Sequence, residues 1–283
     1  MRWRRGDRSS NLEDRRFQTG GRMGGRSIGL GGLLLLLALS FLFKENFFAL
    51  LDPALETDLT PVPGESTAPQ QASPEEEELV DFMSFVLDDT QETWSRILAN
   101  DGGYQDAQMV LFRGAIQSAC GFAQSATGPF YCPADQKVYL DLGFFDELRR
   151  RFGAPGDFAQ AYVIAHEIGH HVQTVLGIEN QVRQAQGSRP GQANQLSVLM
   201  ELQADCFAGV WGHSTAQRGI LEGGDIEEGL DAAAAIGDDR IQRMSGAEVM
   251  PDSFTHGSSE QRVHWFRRGL SSGNPEDCDT FQN

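Results

Sequence analysis

The run His166-Glu167-Ile168-Gly169-His170 limits this chain more than any other stretch. It lies within residues 158–176, where no Pro occurs between Pro155 and Pro190 and apolar residues recur at Val163, Ile164, Ile168, Val172 and Val175. That spacing predicts a mostly buried helix. Two His four apart on a helix differ by about 40° in rotation and about 6 Å in height, so both imidazoles can reach one cation. Glu167, beside the first of them, can lean toward a water on that cation. An H-E-x-x-H run on a helix is the arrangement of a zinc-dependent hydrolase. The alternative is a satisfied polar cluster, and a third ligand on another segment distinguishes the two.

Residues 196–211 supply the candidate. They again have a helical pattern and set Glu201 and Asp205 four apart among Leu199, Leu202, Phe207 and Val210. Two acids on an apolar face are costly to bury unless a cation and hydrogen bonds compensate them. Glu201 is therefore the expected third ligand, completing His166, His170 and Glu201 with one open position, and one zinc per chain is expected. Asp205, one turn on, suits the role of accepting a proton from the non-ligating nitrogen of one of the two His. A solvated acidic pair is the competing reading.

With these residues in view, the chain resembles the zincin metallopeptidases that combine H-E-x-x-H with E-x-x-x-D, the gluzincin type. More closely, the N-terminal arginines, the glycine-rich apolar segment, residues 128–141 and residues 256–262 together resemble the bacterial family called putative neutral zinc metallopeptidases. The resemblance implies an α+β, helix-dominated zincin-like domain with a small β-sheet and a peptide or protein substrate. It also implies that residues 138–142 lie near a substrate-pairing strand edge, with Tyr139 either near the cleft or packed in the core.

The formal net charge of −17 argues against a nucleic-acid partner, since phosphate backbones demand a basic surface. Residues 1–27 run against that balance, with eight Arg against Asp7, Glu13 and Asp14, and read as a solvated, disordered cytoplasmic tail. Residues 28–43 are apolar, and after Lys44, Glu45 and Asn46 the apolar character resumes at residues 47–51. Residues 28–51 therefore read as an uncleaved transmembrane signal anchor, with a cleaved signal peptide and a buried core helix as alternatives. Residues 52–74, rich in Pro and acids, form a linker, and residues 75–283 form the metallopeptidase domain. The expected location is the inner membrane, single-pass, with that domain on the periplasmic side.

Beyond the linker, residues 79–98 predict a long amphipathic helix, and residues 109–113 and 137–141 predict strands. Four Cys fit an oxidising compartment, and of three possible pairings Cys120 with Cys132 and Cys206 with Cys278 is the expected one. A Cys-ligated zinc would need a C-x-x-C spacing that is absent. Residues 226–244 read as one further helix, with Asp238 and Asp239 solvated. Ser258 and Gln261 fit a capping box that starts a last helix, leaving His256 in the loop before it. His256 is the candidate donor to the oxygen that becomes negative when a peptide carbonyl is attacked, and Glu167 the candidate base. His171, His213 and His264 carry no assigned chemistry. The competing functions are a zinc amidase acting on cell-wall peptide and a non-catalytic envelope binding or scaffold protein.

Overall fold

The computed structural model describes residues 1–18, 72–100, 102–125 and 128–282. The expected membrane anchor, residues 19–27 of the expected tail and residues 52–71 of the expected linker lie outside these residues. Among the described residues no helix is long and apolar enough to cross a membrane. The compact unit that contains the metal motif is made of Met1–Arg16 together with Ala72–Asn283.

The chain order is β1 (Leu12–Asp14), α1 (Pro74–Ile97), β2 (Gln108–Phe112), β3 (Ala115–Ser118), β4 (Gly121–Gln124), β5 (Phe130–Cys132) and β6 (Lys137–Asp141). It continues with α2 (Gly143–Arg150), α3 (Asp157–Val175), α4 (Ile178–Ser188), α5 (Ala193–Gln217), α6 (Asp225–Ala235), α7 (Asp238–Met244) and α8 (Ser259–Ser272). Helix dominates, and the strands form one mixed sheet in the order β1-β2-β6-β5 and one hairpin, β3-β4. The expected α+β class holds.

Local chemistry sets the helix starts. Ser73 caps α1 by accepting from the Glu76 amide, Pro74 occupies the first turn, and Glu75, Glu76 and Glu77 complement the helix dipole. At α8 the expected capping box is present: Ser258 accepts from the Gln261 amide, and Gln261 accepts from the Ser258 amide.

The core is the stack of α3, α5 and α8, and two glycine positions bring it close. A Cβ on Gly169 would sit 2.9 Å from the Ala204 carbonyl oxygen, and one on Gly269 would sit 1.9 Å from that of Cys206. Side chains larger than hydrogen there would push α3 and α8 away from α5, and with them every group that must converge between the helices. Aromatic contacts fill the rest, with Phe158 stacked on Trp211 and Trp94 edge-on to Phe207. Both expected disulfides form, Cys120–Cys132 and Cys206–Cys278. The second ties the C-terminal segment to α5.

Two expectations need correction. Residues 1–16 are not a solvated, disordered tail: Leu12–Asp14 pairs in parallel with Met109–Leu111 of β2, and Arg16 is buried. The compact unit is therefore discontinuous and does not begin at residue 75. Residues 226–244 are two helices, because the chain turns at Ile236 and Gly237, where a Cβ on Gly237 would lie 2.4 Å from the Ser259 amide. The strand edge near residues 138–142 is β5, which pairs with the interior strand β6. Tyr139 on β6 is 2% exposed, stacks on Phe130 and donates to Asp135, so it is a core residue, and the β5 edge lies nearest α3.

Candidate metal centre

Helix α3 presents His166 and His170 on one face, and α5 crosses it at Gly169 so that Glu201 arrives opposite both. His166 Nε2 lies 3.1 Å from Glu201 Oε2, and His170 Nε2 lies 3.5 Å from Glu201 Oε1. Ligand atoms of the three residues all fall within 4.8 Å of one another. Ligands about 2.0–2.1 Å from a tetrahedral zinc are about 3.3–3.4 Å apart, so the donors stand close to the spacing that ion requires.

The orientation of each imidazole is set from behind. His166 Nδ1 donates to Asp205 Oδ1 at 2.9 Å, and His170 Nδ1 donates to Gln173 Oε1 at 2.9 Å. Gln173 is itself fixed, because its amide donates to the Met200 carbonyl and to Gln203. Both Nε2 atoms therefore point at the shared space with their lone pairs available.

Asp205 has no exposed side-chain area and accepts four hydrogen bonds from three residues. Besides His166 it accepts from the Tyr162 hydroxyl and, on its two oxygens, from Arg262 Nε at 2.8 Å and Nη2 at 2.9 Å. Arg262 Nη2 also lies 3.3 Å from His166 Nδ1, 3.5 Å from its Nε2 and 4.0 Å from Glu201 Oε2. The guanidinium thus packs against the His166 ring while binding the carboxylate that holds it.

The field at the site favours positive charge. Burial alone would lower the pKa of His166, yet Asp205 and Glu201 carry it up to about 9. Glu201, which burial would raise, is held well below the usual carboxylate range by His170 and His166. Glu167 moves the other way: burial raises it despite the neighbouring His. A divalent cation held there would, together with Arg262, match the three carboxylates Glu167, Glu201 and Asp205 in a neutral set.

An open cleft of about 690 Å³ reaches the centre, lined by His166, Glu167, His170, Glu201, Arg262 and His256 among others. His256 reaches it from the loop before α8. Its Nδ1 is 3.1 Å from Asp238 Oδ1, while Asp238 Oδ2 accepts the backbone amides of Thr255, His256 and Gly257. Asp238 is therefore the anchor of that loop and not a merely solvated acid. The hydrogen bond from Asp238 raises the His256 pKa above its ordinary value.

The structure brings together His166, His170, Glu201, Glu167, Asp205 and His256, all of which the sequence singled out. It adds Arg262, Tyr162, Gln173 and Asp238. Arg262 left a legible signal: it shares the buried face of α8 with Phe266 and Gly269, one and two turns on. An Arg on a core face needs a buried anionic partner.

A family model described as "Putative neutral zinc metallopeptidase" matches residues 1–281. The chain belongs to that family. Membership supports zinc peptidase chemistry in general. Among curated proteins the chain is similar to "Uncharacterized protein YpfJ" of Escherichia coli K12, 50% identical over 99% of each chain. It is also similar to "Uncharacterized protein Mb2605" of Mycobacterium bovis, 45% identical over 63% of this chain and 64% of the relative. No solved structure matches.

His171, adjacent to the second motif His, faces away from the cleft's centre. Its Nε2 donates to the Gln105 carbonyl, so its Nδ1 accepts from Tyr131 on β5. It ties the sheet edge to α3. His213 is likewise structural, bonded to the Leu270 carbonyl.

Proposed function

We propose that the protein is a zinc-dependent peptidase in which His166, His170 and Glu201 hold the metal, Glu167 handles the proton and His256 faces the developing negative oxygen. The observation that carries this reading is the convergence of two imidazole nitrogens and one carboxylate, each oriented from behind, at the floor of an open cleft. Zinc in such a set acidifies a bound water and polarises a carbonyl.

Glu167 adjoins the first ligand, and its carboxylate takes the proton of the attacking water and later delivers it to the leaving amine nitrogen. Burial raises its pKa, which brings it closer to that of a base matched to near-neutral work. His256, with Nδ1 donating to Asp238, donates from Nε2 to the oxygen that gains charge when the ring is the imidazolium, the form that Asp238 favours. Asp205 and Arg262 hold His166 in the tautomer and position that ligation needs.

The cleft also suits an extended peptide. Strand β5 is paired on one side only among the described residues, and its flanks Pro129, Phe130 and Tyr131 line the cleft. An added strand could hydrogen-bond there, with Phe144, Phe152 and Val163 offering apolar contact to its side chains. Two disulfides support placement of the body in an oxidising compartment outside the cytoplasm, and the apolar residues 28–51 support association with a membrane.

The test uses the full-length chain. Elemental analysis of protein prepared without chelator should find one zinc per chain, and unbiased peptide-library digestion should show cleavage that chelation abolishes and zinc restores. A chain that takes up no zinc on reconstitution, or that holds it and cuts nothing, ends the reading.

A further inference from the structure

The basic N-terminal arm and the peptidase body are one folded unit, although an apolar stretch separates them in sequence. Three layers of contact join them. The Met109 amide donates to the Asn11 carbonyl and the Arg15 amide to the Leu111 carbonyl, each at 2.8 Å, bracketing the parallel pairing of β1 with β2. Trp3 packs against Phe82 and Phe85 of α1. Arg8 pairs with Glu77 and Asp81, and Arg16, 1% exposed, pairs with Asp14, Glu76 and Glu77.

The acids that begin α1 thus complete a charge match with the arm as well as capping the helix. Arg16 touches Glu76 directly, so the chain leaves this unit and returns to it at neighbouring points. Neighbouring strands lie about 4.8 Å apart, whereas one crossing of a bilayer separates its two flanks by about 30 Å of hydrocarbon. The sheet and a single crossing between residues 17 and 71 are mutually exclusive.

We infer that residues 1–16 lie in the same compartment as residues 72–283, so that the polypeptide is on one side of the membrane both before and after its apolar stretch. The arginines do not stay in the cytoplasm while the peptidase body is exported. They accompany it, and the side is the oxidising one where Cys120–Cys132 and Cys206–Cys278 persist. This inference stands on the sheet and the ion pairs, and is independent of the peptidase reading.

Single-cysteine reporters in the full-length chain test it. The four native Cys are all paired, so a cysteine placed at exposed Asp7 (Asp7→Cys) or exposed Arg267 (Arg267→Cys) is the one free thiol. A membrane-impermeant maleimide is applied to cells before and after the inner membrane is permeabilised. Both reporters should react in intact cells, and reaction of both only after permeabilisation overturns their placement on the oxidising side. Reaction of one in intact cells and of the other only after permeabilisation overturns the inference. If a reporter variant is not produced, a protease site inserted within residues 61–69 of the otherwise native chain replaces it. After cleavage in mild detergent the N-terminal fragment should co-elute with the body, and its release without denaturant overturns the inference.

Discussion

Two arginines among the described residues are buried beside carboxylates, and their surroundings differ in one respect. Arg262 at the metal centre is 2% exposed and faces Asp205, which is fully dry. Arg16 at the arm is 1% exposed, but its partners Asp14, Glu76 and Glu77 are 29%, 18% and 34% exposed. The two guanidiniums are equally hidden, and what separates them is where their partners go when the pair is broken. Asp205 has no water to turn to, whereas the arm's carboxylates do. Dry pairs become liabilities once broken, by about 3–5 kcal/mol, while wet pairs are worth about 0–1 kcal/mol.

The largest effect separates chemistry from structure at the dry site. Glu167→Gln is expected to keep fold and zinc while lowering kcat/KM by about 10²–10⁴, because it removes the proton acceptor and leaves the ligands. Steady-state kinetics beside elemental analysis checks it. If zinc were lost instead, and Glu201→Gln kept both zinc and activity, the base and the third ligand would be exchanged. Removing a partner of the dry pair comes next. Arg262→Gln should cost about 3–5 kcal/mol of stability, read by denaturant titration. Asp205→Asn should weaken zinc affinity or activity by about 10–100-fold through His166, read by competition with a chromogenic chelator. A result within about 0.5 kcal/mol for Arg262→Gln would show that water reaches Asp205.

The same contrast explains what could be read in the sequence. The metal centre was legible because each of its helices carries its message within five residues: His166 to His170, and Glu201 to Asp205. Helical spacing alone puts each pair on one face, and the chemistry of a buried acid says that the two faces meet. The two disulfides and the Ser258 capping box were equally local or few in number. Arg262 signalled only that it needs a buried anionic partner, and Asp238 and the arm gave no signal, because the partners of all three are distant. Arg262 meets Asp205 57 residues away, and Arg16 meets Glu76 60 residues away. A basic run and an acidic run each look solvated when read alone, and only their mutual pairing buries either. Gly237 ended a helix through a contact with Ser259, again a non-local fact. Which strand near residues 138–142 forms the edge was not legible for the same reason, since order in a sheet is a property of pairing and not of composition.

A smaller effect is expected at the wet pair. Arg16→Gln should destabilise by about 1 kcal/mol, since its carboxylates can turn to solvent. Hydrogen exchange should localise the change to β1 and the start of α1 and leave α3 and α5 unaffected. A loss as large as that of Arg262→Gln would make the arm a second dry core.

Acid and salt should act on the arm through the same exposure. The Arg8 and Arg16 hydrogen bonds hold the Glu77 carboxyl below its ordinary 4.5. Burial would raise the Asp81 and Asp14 carboxyls, but Arg8 and Arg5 at the first and Arg16 at the second carry them below 3.8. A carboxyl whose folded pKa is depressed stabilises the fold fully above its unfolded value and loses that contribution as pH falls through the folded one. The arm's ion pairs should therefore be unaffected by pH from 5 upward and weaken below about 4, where these carboxylates take up protons. Raising salt from about 0.1 to 1 M shortens the screening length from about 10 to 3 Å, which reaches pairs with one wet partner and spares Asp205 with Arg262. Exchange rates of the Leu12–Asp14 amides, followed against pH and against salt at neutral pH, read both effects. The arm's protection should fall in acid and in salt while that of α5 around Asp205 holds in salt. Unchanged arm protection at low pH would mean that β1 is held by its backbone pairing and by Trp3, and that the charges contribute nothing measurable.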